Sequence, residues 1–415
     1  MNALEYVDWL SLESLRLLTN PLVIAPFFNT DYNSEFTKEF TVGETVRIPL
    51  PKQFLITNGL GYQPQPIIDR HTTVTVDQAF GVHFEWDSAE QAMKLPRGDE
   101  KVSRTILKPA MARIRQEIEL RAANWARMNT PNVVGTLGTN STTFDAVFGA
   151  ADQRLTEIGC PTDLERGMIL TPSLTRALRA GAVSQFHPAS AITQMWKKGS
   201  LGEAVNFDSY QSMSLYQHTA GTWAGAVTVA TTSLSGATTI ALTCTTGDTF
   251  LQGDVFNIAA VNEVNPGQQL STGTLKQFVV AAPVTGAASA ATVTLVAATS
   301  AGAIIGPGSP YQNVDALPLS GAALTLFPGT TSPSGKVGFN SLALTKNAFA
   351  LVGVKLANPK AAEMSSYARD PDTGISVSFL RMFDPVQRKW INRFDVLLGF
   401  GNLYNDHAAV RVLGA

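Results

Sequence analysis

Charge is the first thing this chain has little of. Over 415 residues only 15% are Asp, Glu, Lys or Arg, against about 25% in an ordinary soluble protein. A lone soluble monomer dresses its surface with charge, whereas a chain that buries surface against other copies needs less. The formal net charge is −2, and there is no basic stripe of the sort a nucleic-acid binder carries. Cysteine is nearly absent. Cys160 and Cys244 lie far apart and form no CxxC pair, so a disulfide framework is not expected and a reduced compartment fits. The opening residues Met1 to Asp8 are acidic where an export signal would be basic, and no such signal is read there. Two stretches lack Asp, Glu, Lys and Arg, Ser209 to Gly247 and Gln277 to Val314. Both are Ala/Thr/Gly/Ser-rich, and neither supplies the roughly 20 apolar residues of a membrane-spanning helix.

Catalytic signatures are missing as well. There is no GxxxxGK[ST] and no GxSxG. Gly399-Phe400-Gly401 begins like a dinucleotide fingerprint, but Tyr404 stands where the third glycine belongs. Asp370-Pro371-Asp372-Thr373-Gly374 lacks the further acidic ligands of a calcium loop and reads as a turn. Cys160 and His187 could serve as nucleophile and base only if the fold brought them together. The best metal candidate is His83-Phe84-Glu85-Trp86-Asp87. On a strand His83, Glu85 and Asp87 share one face and offer three ligand-type groups. The blander reading is a polar strand face with Phe84 and Trp86 turned to the core.

What is present is a sequence of distinct parts. At roughly 100–200 residues per domain, two or three domains are expected. Residues 1–35 form an N-terminal arm, with Leu4, Val7, Leu10, Leu15 and Leu18 on one face of a short helix. Residues 36–95 read as β, with Thr45-Val46-Arg47-Ile48 closed by Pro49 and a long hairpin turning at Asn58-Gly59. An exposed hairpin is an aggregation hazard unless something pairs with it. Leu4, Val7 and Leu10 on the arm and Phe54, Asn58, Gly59 and Tyr62 on the hairpin are the interface candidates. Residues 96–130 carry the longest helical pattern, Val102, Ile106, Ala110, Ile114, Ile118, Ala122 and Trp125, beside a polar row of Arg113, Glu117 and Arg121. Pro109 should kink that helix or start a new one. Residues 131–220 alternate helix and strand.

From 221 to 335 the composition shifts. Only Asp248, Asp254, Glu263, Lys276 and Asp315 are charged there, and short strands alternate with Gly, Pro, Asn and Ser, the pattern of a small β-barrel or sandwich. Residues 336–415 return to mixed strand and helix with ordinary charge density, so 221–335 is an insertion.

This order of parts resembles the Hong Kong 97 capsid fold, in the version with an insertion domain found in coat proteins of short-tailed, Salmonella-type (P-twenty-two-like) phages. The stretch that carries the resemblance most specifically is Gly253-Asp254-Val255-Phe256-Asn257-Ile258-Ala259-Ala260-Val261, followed by Asn265-Pro266 and Leu275-Lys276-Gln277-Phe278-Val279-Val280. Ala260 stands where the family has glycine. Tyr311-Gln312-Asn313-Val314 and Asp372-Thr373-Gly374-Ile375 match further on. The resemblance implies an α+β major capsid protein with no catalytic site, cofactor or metal. It implies hexamers and pentamers of an icosahedral shell, a scaffolding protein and a portal ring as partners, and double-stranded DNA enclosed without specific binding. It places the protein in the virion, assembled in the bacterial host cytoplasm, with no membrane. The same fold builds bacterial nanocompartments. A secreted β-rich adhesin or sugar-binding protein is the rival of another class.

Overall fold

The computed structural model describes Glu13, Arg16, Leu18 and residues 22–32, 45–57, 59, 61–62, 64–87, 106–162, 164–185, 203–215, 217–297, 302–327, 335–356, 364–370 and 373–415. In chain order the elements are β1 (Thr45–Pro49), β2 (His71–Asp87), α1 (Lys108–Asn129), β3 (Val133–Gly135), α2 (Ala150–Glu157), β4 (Arg166–Leu170), α3 (Pro172–Gln185), β5 (Glu203–Ala204), β6 (Phe207–Gln211) and β7 (Gln217–Thr219). Next come β8 (Thr228–Val229), β9 (Thr239–Thr243), β10 (Thr249–Phe250), β11 (Val255–Asn265), β12 (Leu270–Val279), β13 (Val284–Thr285), β14 (Ala290–Thr294) and β15 (Leu324–Leu326). The chain closes with β16 (Val337–Thr345), β17 (Phe349–Val354), β18 (Met364–Arg369), β19 (Ser376–Asp384), β20 (Lys389–Asn402) and β21 (Ala409–Leu413). The fold is α+β and rich in strands.

The chain divides into two compact units. The first takes residues 1–47, 73–122 and 350–401. Its frame is a sheet in the order β1-β2-β20-β19-β18, with β17 also on β20. β2 and β20 pair antiparallel from Val74–Gly401 out to Asp87–Lys389. Phe394 of β20 anchors the core face, stacked on Phe84 of β2 at 6.1 Å and tilted against Phe379 of β19 at 4.9 Å. The two glycines of β20 serve this packing. A side chain at Gly399 would stand 2.6 Å from the Thr75 carbonyl oxygen, and one at Gly401 would run into Val74. They let strands approach closely and cradle no nucleotide.

The helix whose residues up to Ala122 belong to this unit begins at Lys108 with Pro109 in its first turn, where a missing N–H costs nothing. It continues to Asn129, a length of about 33 Å at 1.5 Å per residue. Residues 96–105 of the sequence-read segment lie outside the described residues. Met111, Ile114, Ile118 and Ala122 face inward, while Glu117 receives Arg121 at 2.8 Å on the polar row. Glu119 is the exception on the buried side. Its carboxylate accepts the backbone N–H groups of Val23, Ile24 and Ala25 at 2.9–3.3 Å, so α1 caps the 3-10 turn Ala25–Phe27 from outside. Burial raises the Glu119 carboxyl above the usual carboxylate range, against the pull of those donors.

The second unit takes residues 48–72, 123–349 and 402–415. Its main sheet is mixed, in the order β3-β21-β16-β4-β6-β5, with β7 also on β16. β21–β3 and β4–β6 are parallel, and β16 is antiparallel to both β21 and β4. Helices α2 and α3 close one core against it, through Phe148, Leu155, Leu174, Leu178, Met168 and Val410. Thr171 caps α3 as its sequence position implies, its hydroxyl accepting Leu174 N–H at 3.4 Å.

Residues 221–335 supply β8 to β15, in three short sheets around a single apolar core centred on Val227, Leu242, Phe250, Phe256, Val280 and Val293. That core also contains Val133, Leu137 and Leu413 from the flanking sheet, so the inserted strands share their interior with the rest of the unit. One expectation fails beyond them. The described residues of 338–415 form strands and turns and no helix: Ile391–Leu398 of β20 buries every second side chain against a sheet, and Ser376–Phe379 of β19 is buried on both faces.

Candidate functional site

Two places in the second unit stand out, a bare loop and a buried polar seam. The loop joins β1 to β2. Among its described residues, 51–70, no strand forms, although Asn58-Gly59 promises a hairpin. Pro51, Pro64 and Pro66 remove N–H donors from both arms, and side chains take over what a ladder would do. The Gln65 amide clamps the opposite arm, accepting Leu55 N–H at 2.9 Å and donating to the Leu55 carbonyl at 2.6 Å. Tyr311 holds the base. Its hydroxyl donates to the Ile68 carbonyl at 3.0 Å and accepts Gln53 N–H at 3.3 Å, while the Arg70 guanidinium lies 4.2 Å over its ring. Lys52 and Asp69 pair at 2.8 Å, and that hydrogen bond draws the Asp69 carboxyl below its ordinary value.

Around the clamp the described apolar side chains are bare. Phe54 is 57% exposed, Ile56 92% and Tyr62 91%. Gly59 has φ +96°, the left-handed turn that its type was chosen for. Phe54, Gly59 and Tyr62 therefore sit together on one exposed loop. Asn58, and Leu4, Val7 and Leu10 of the arm, lie outside the described residues.

The polar seam was not read from the sequence. His218 of β7 is buried between two charged partners. The Arg127 guanidinium donates to its Nδ1 at 2.6 Å, and its Nε2 meets Asp254 Oδ1 at 2.8 Å. A guanidinium can only donate, so Nδ1 accepts and Nε2 carries the hydrogen. The geometry fixes a neutral imidazole. Burial pushes its pKa down, Asp254 pulls it up, and Arg411 and Arg127 push it down again. The second Asp254 oxygen accepts Gly221 N–H at 3.0 Å and Leu251 N–H at 2.8 Å. A second cluster joins Glu263 of β11 to Lys276 of β12 at 2.6 Å and to Arg154 of α2. The seam's one signal in the sequence was the scarcity of charge in 221–335: of the few charges retained there, Asp248, Asp254, Glu263 and Lys276 are buried and Asp315 is half-buried.

The metal candidate resolves into pairs. His83 Nε2 lies 2.9 Å from Asp395 Oδ1, and Lys389 Nζ lies 2.6 Å from Glu85 Oε1, both across the β2–β20 ladder. The side chain of Asp87 lies outside the described residues. No group of three or more His, Cys, Asp or Glu that could hold a metal occurs among the described residues. Cys160 is buried, and burial raises its thiol pKa, the reverse of an activated nucleophile; His187 lies outside the described residues. Asp370 accepts the Thr373 hydroxyl at 2.6 Å and its N–H at 3.2 Å, a turn. Among the described residues no helix is long and apolar enough to cross a membrane.

Residues 60–414 match the family described as P22 coat protein - gene protein 5. No curated protein matches the chain. Among solved structures it is similar to that of Mycobacterium phage Che8, at 10% identity over 95% of this chain and 92% of the other, TM-score 0.48. It is similar to the capsid of cyanophage P-SCSP1u, at 9% identity, 95% and 88% coverage, TM-score 0.43. A third likeness is to the acid-stable capsid of Helicobacter pylori bacteriophage KHP30, at 10% identity, 89% and 83% coverage, TM-score 0.41. A family match that runs from the bare loop through the inserted strands to the last strand settles what the chain is: it belongs to the P22 coat protein family and is a major capsid protein of a tailed phage.

Proposed function

We propose that this coat protein closes into an icosahedral shell of hexamers and pentamers around double-stranded DNA. Assembly takes place in the host cytoplasm, with a scaffolding protein and a portal ring as partners. The chain does no chemistry of its own. The observation that carries the reading is the loop over residues 51–70, whose exposed Phe54, Ile56 and Tyr62 have no cover within their own unit. Side chains of that kind, on an arm whose base is fixed by Tyr311, fit a neighbouring subunit. The near-neutral formal charge of −2 fits a wall that encloses DNA without gripping it. Many weak contacts per subunit then sum to a stable shell.

Electron microscopy of the chain expressed alone and together with scaffolding protein tests this. Uniform closed shells, at higher yield with scaffold, are the expected result. Small discrete oligomers under both conditions would overturn the reading.

A further inference from the structure

Arg411 of β21 has more donors than partners. Its side chain is buried, 1% exposed. Nη1 donates to the Gly253 carbonyl at 2.9 Å, while Nε and Nη2 have no hydrogen-bond partner among the described residues. The natural counter-charge is already occupied: Asp254 accepts from His218, Gly221 and Leu251. Burial and the like charge of Arg127, the second guanidinium of the seam, weigh against the charged form of Arg411, and the nearby Asp254 carboxylate only partly offsets them. A buried cation left this way is costly.

Beside Arg411 lies a cavity of about 20 Å³, lined by Arg411, His218, Gly253 and Asp254 on its polar side and by apolar residues including Val133, Leu137 and Phe327. A single water needs roughly 10–15 Å³, so the cavity has room to spare for a monatomic ion somewhat larger than water. The apolar wall offers no acceptor to Arg411. A water would satisfy a hydrogen bond and leave the charge. An anion satisfies both, and the Nε/Nη2 edge of a guanidinium presents two parallel donors suited to it.

We propose that this cavity is a structural site for a small monovalent inorganic anion, chloride foremost, bound by Nε and Nη2 of Arg411. Its walls come from β3, β7 and β21 on one side and from the Gly253-Asp254-Val255 turn on the other. The bound ion therefore fastens the inserted strands to the main sheet of the unit. The site stands independently of shell formation, since every wall belongs to one subunit. Its position explains why that turn packs a carboxylate, an imidazole and two guanidiniums where an apolar core would otherwise run.

Thermal unfolding of the full chain at constant ionic strength tests the site, exchanging sodium isethionate, whose anion is too large for the cavity, for sodium chloride. The expected result is a saturable rise in Tm of about 2–5 °C with chloride, reproduced by bromide and lost in Arg411→Met. Crystals grown in sodium bromide give a second reading that does not depend on the variant folding, an anomalous bromide peak beside Nε of Arg411. A Tm indifferent to the anion, or no bromide peak at Arg411, overturns the proposal and leaves the cavity to water.

Discussion

Asp254 does the work of several residues at once. Its two oxygens accept one imidazole and two backbone N–H groups, and it is 1% exposed. The other charges of 221–335 behave alike. Asp248 accepts Ala224 N–H at 2.7 Å and Thr245 N–H at 2.8 Å. Asp315 takes both the N–H and the amide of Asn262, which hold its carboxyl low. Glu263 and Lys276 hold each other. Asp254→Ala would strand three donors, two of them buried, and we expect a loss of about 3 kcal/mol or more, measured by urea unfolding at pH 7. His218 gives a pH dependence of defined sign. Its ordinary value is 6.5 and the folded value is lower. As pH falls through 6.5, the unfolded chain takes up a proton that the folded chain resists, so stability falls with pH until the folded imidazole itself titrates. His218→Gln can accept from Arg127 and donate to Asp254 without titrating. Its urea midpoint should move less than the parent's between pH 7.5 and 5.5. The charges themselves were legible in the sequence; their partners were not, because Arg127, His218, Asp254 and Arg411 come from four separate stretches and meet only through the fold.

Elements divide by how much of their shape is local. β2, α1, β4, α3 and the strands β8, β9, β11 and β14 follow from alternation, helical spacing, proline and caps, and were legible for that reason, whereas the two- and three-residue strands β10, β13 and β15 are too short to carry a pattern. The loop between β1 and β2 was legible as a protrusion, but its lack of a ladder was not. Asn58-Gly59 speaks for paired strands and Pro51, Pro64 and Pro66 against them, and the outcome rests on Gln65 and on Tyr311, some 240 residues away (243 between Tyr311 and Ile68). Tyr311→Phe removes one hydroxyl from the loop base. We expect subunit stability to drop by only about 1 kcal/mol, while the yield of closed shells, counted by sedimentation, falls severalfold as the loop loses its aim. A change of stability without a change of yield would assign Tyr311 to folding alone.

At the scale of the whole chain, the charge-poor segment was visible in composition. What composition could not show is that the inserted strands share a core with Val133, Leu137 and Leu413, which depends on side chains distant in sequence meeting in space. The exposed loop residues belong to no such core. Replacing Phe54, Ile56 and Tyr62 together by Ser should leave the Tm of the isolated subunit within about 2 °C, since surface changes of this kind cost little, and should abolish shells in the microscope. Shells of normal size and number from that variant would remove the loop from assembly.

The burial of the inserted segment's single lysine, with no arginine beside it, has a consequence for proteolysis. Between Gly221 and Gly335 trypsin finds a single bond to cut, after Lys276. That residue lies within β12, 4% exposed, with its amine on Glu263. The nearest sites outside are Lys198 and Lys336. Limited digestion should therefore release one resistant fragment, Gly199 to Lys336, seen by mass spectrometry, and amine-reactive labels should pass the same surface by until the segment unfolds.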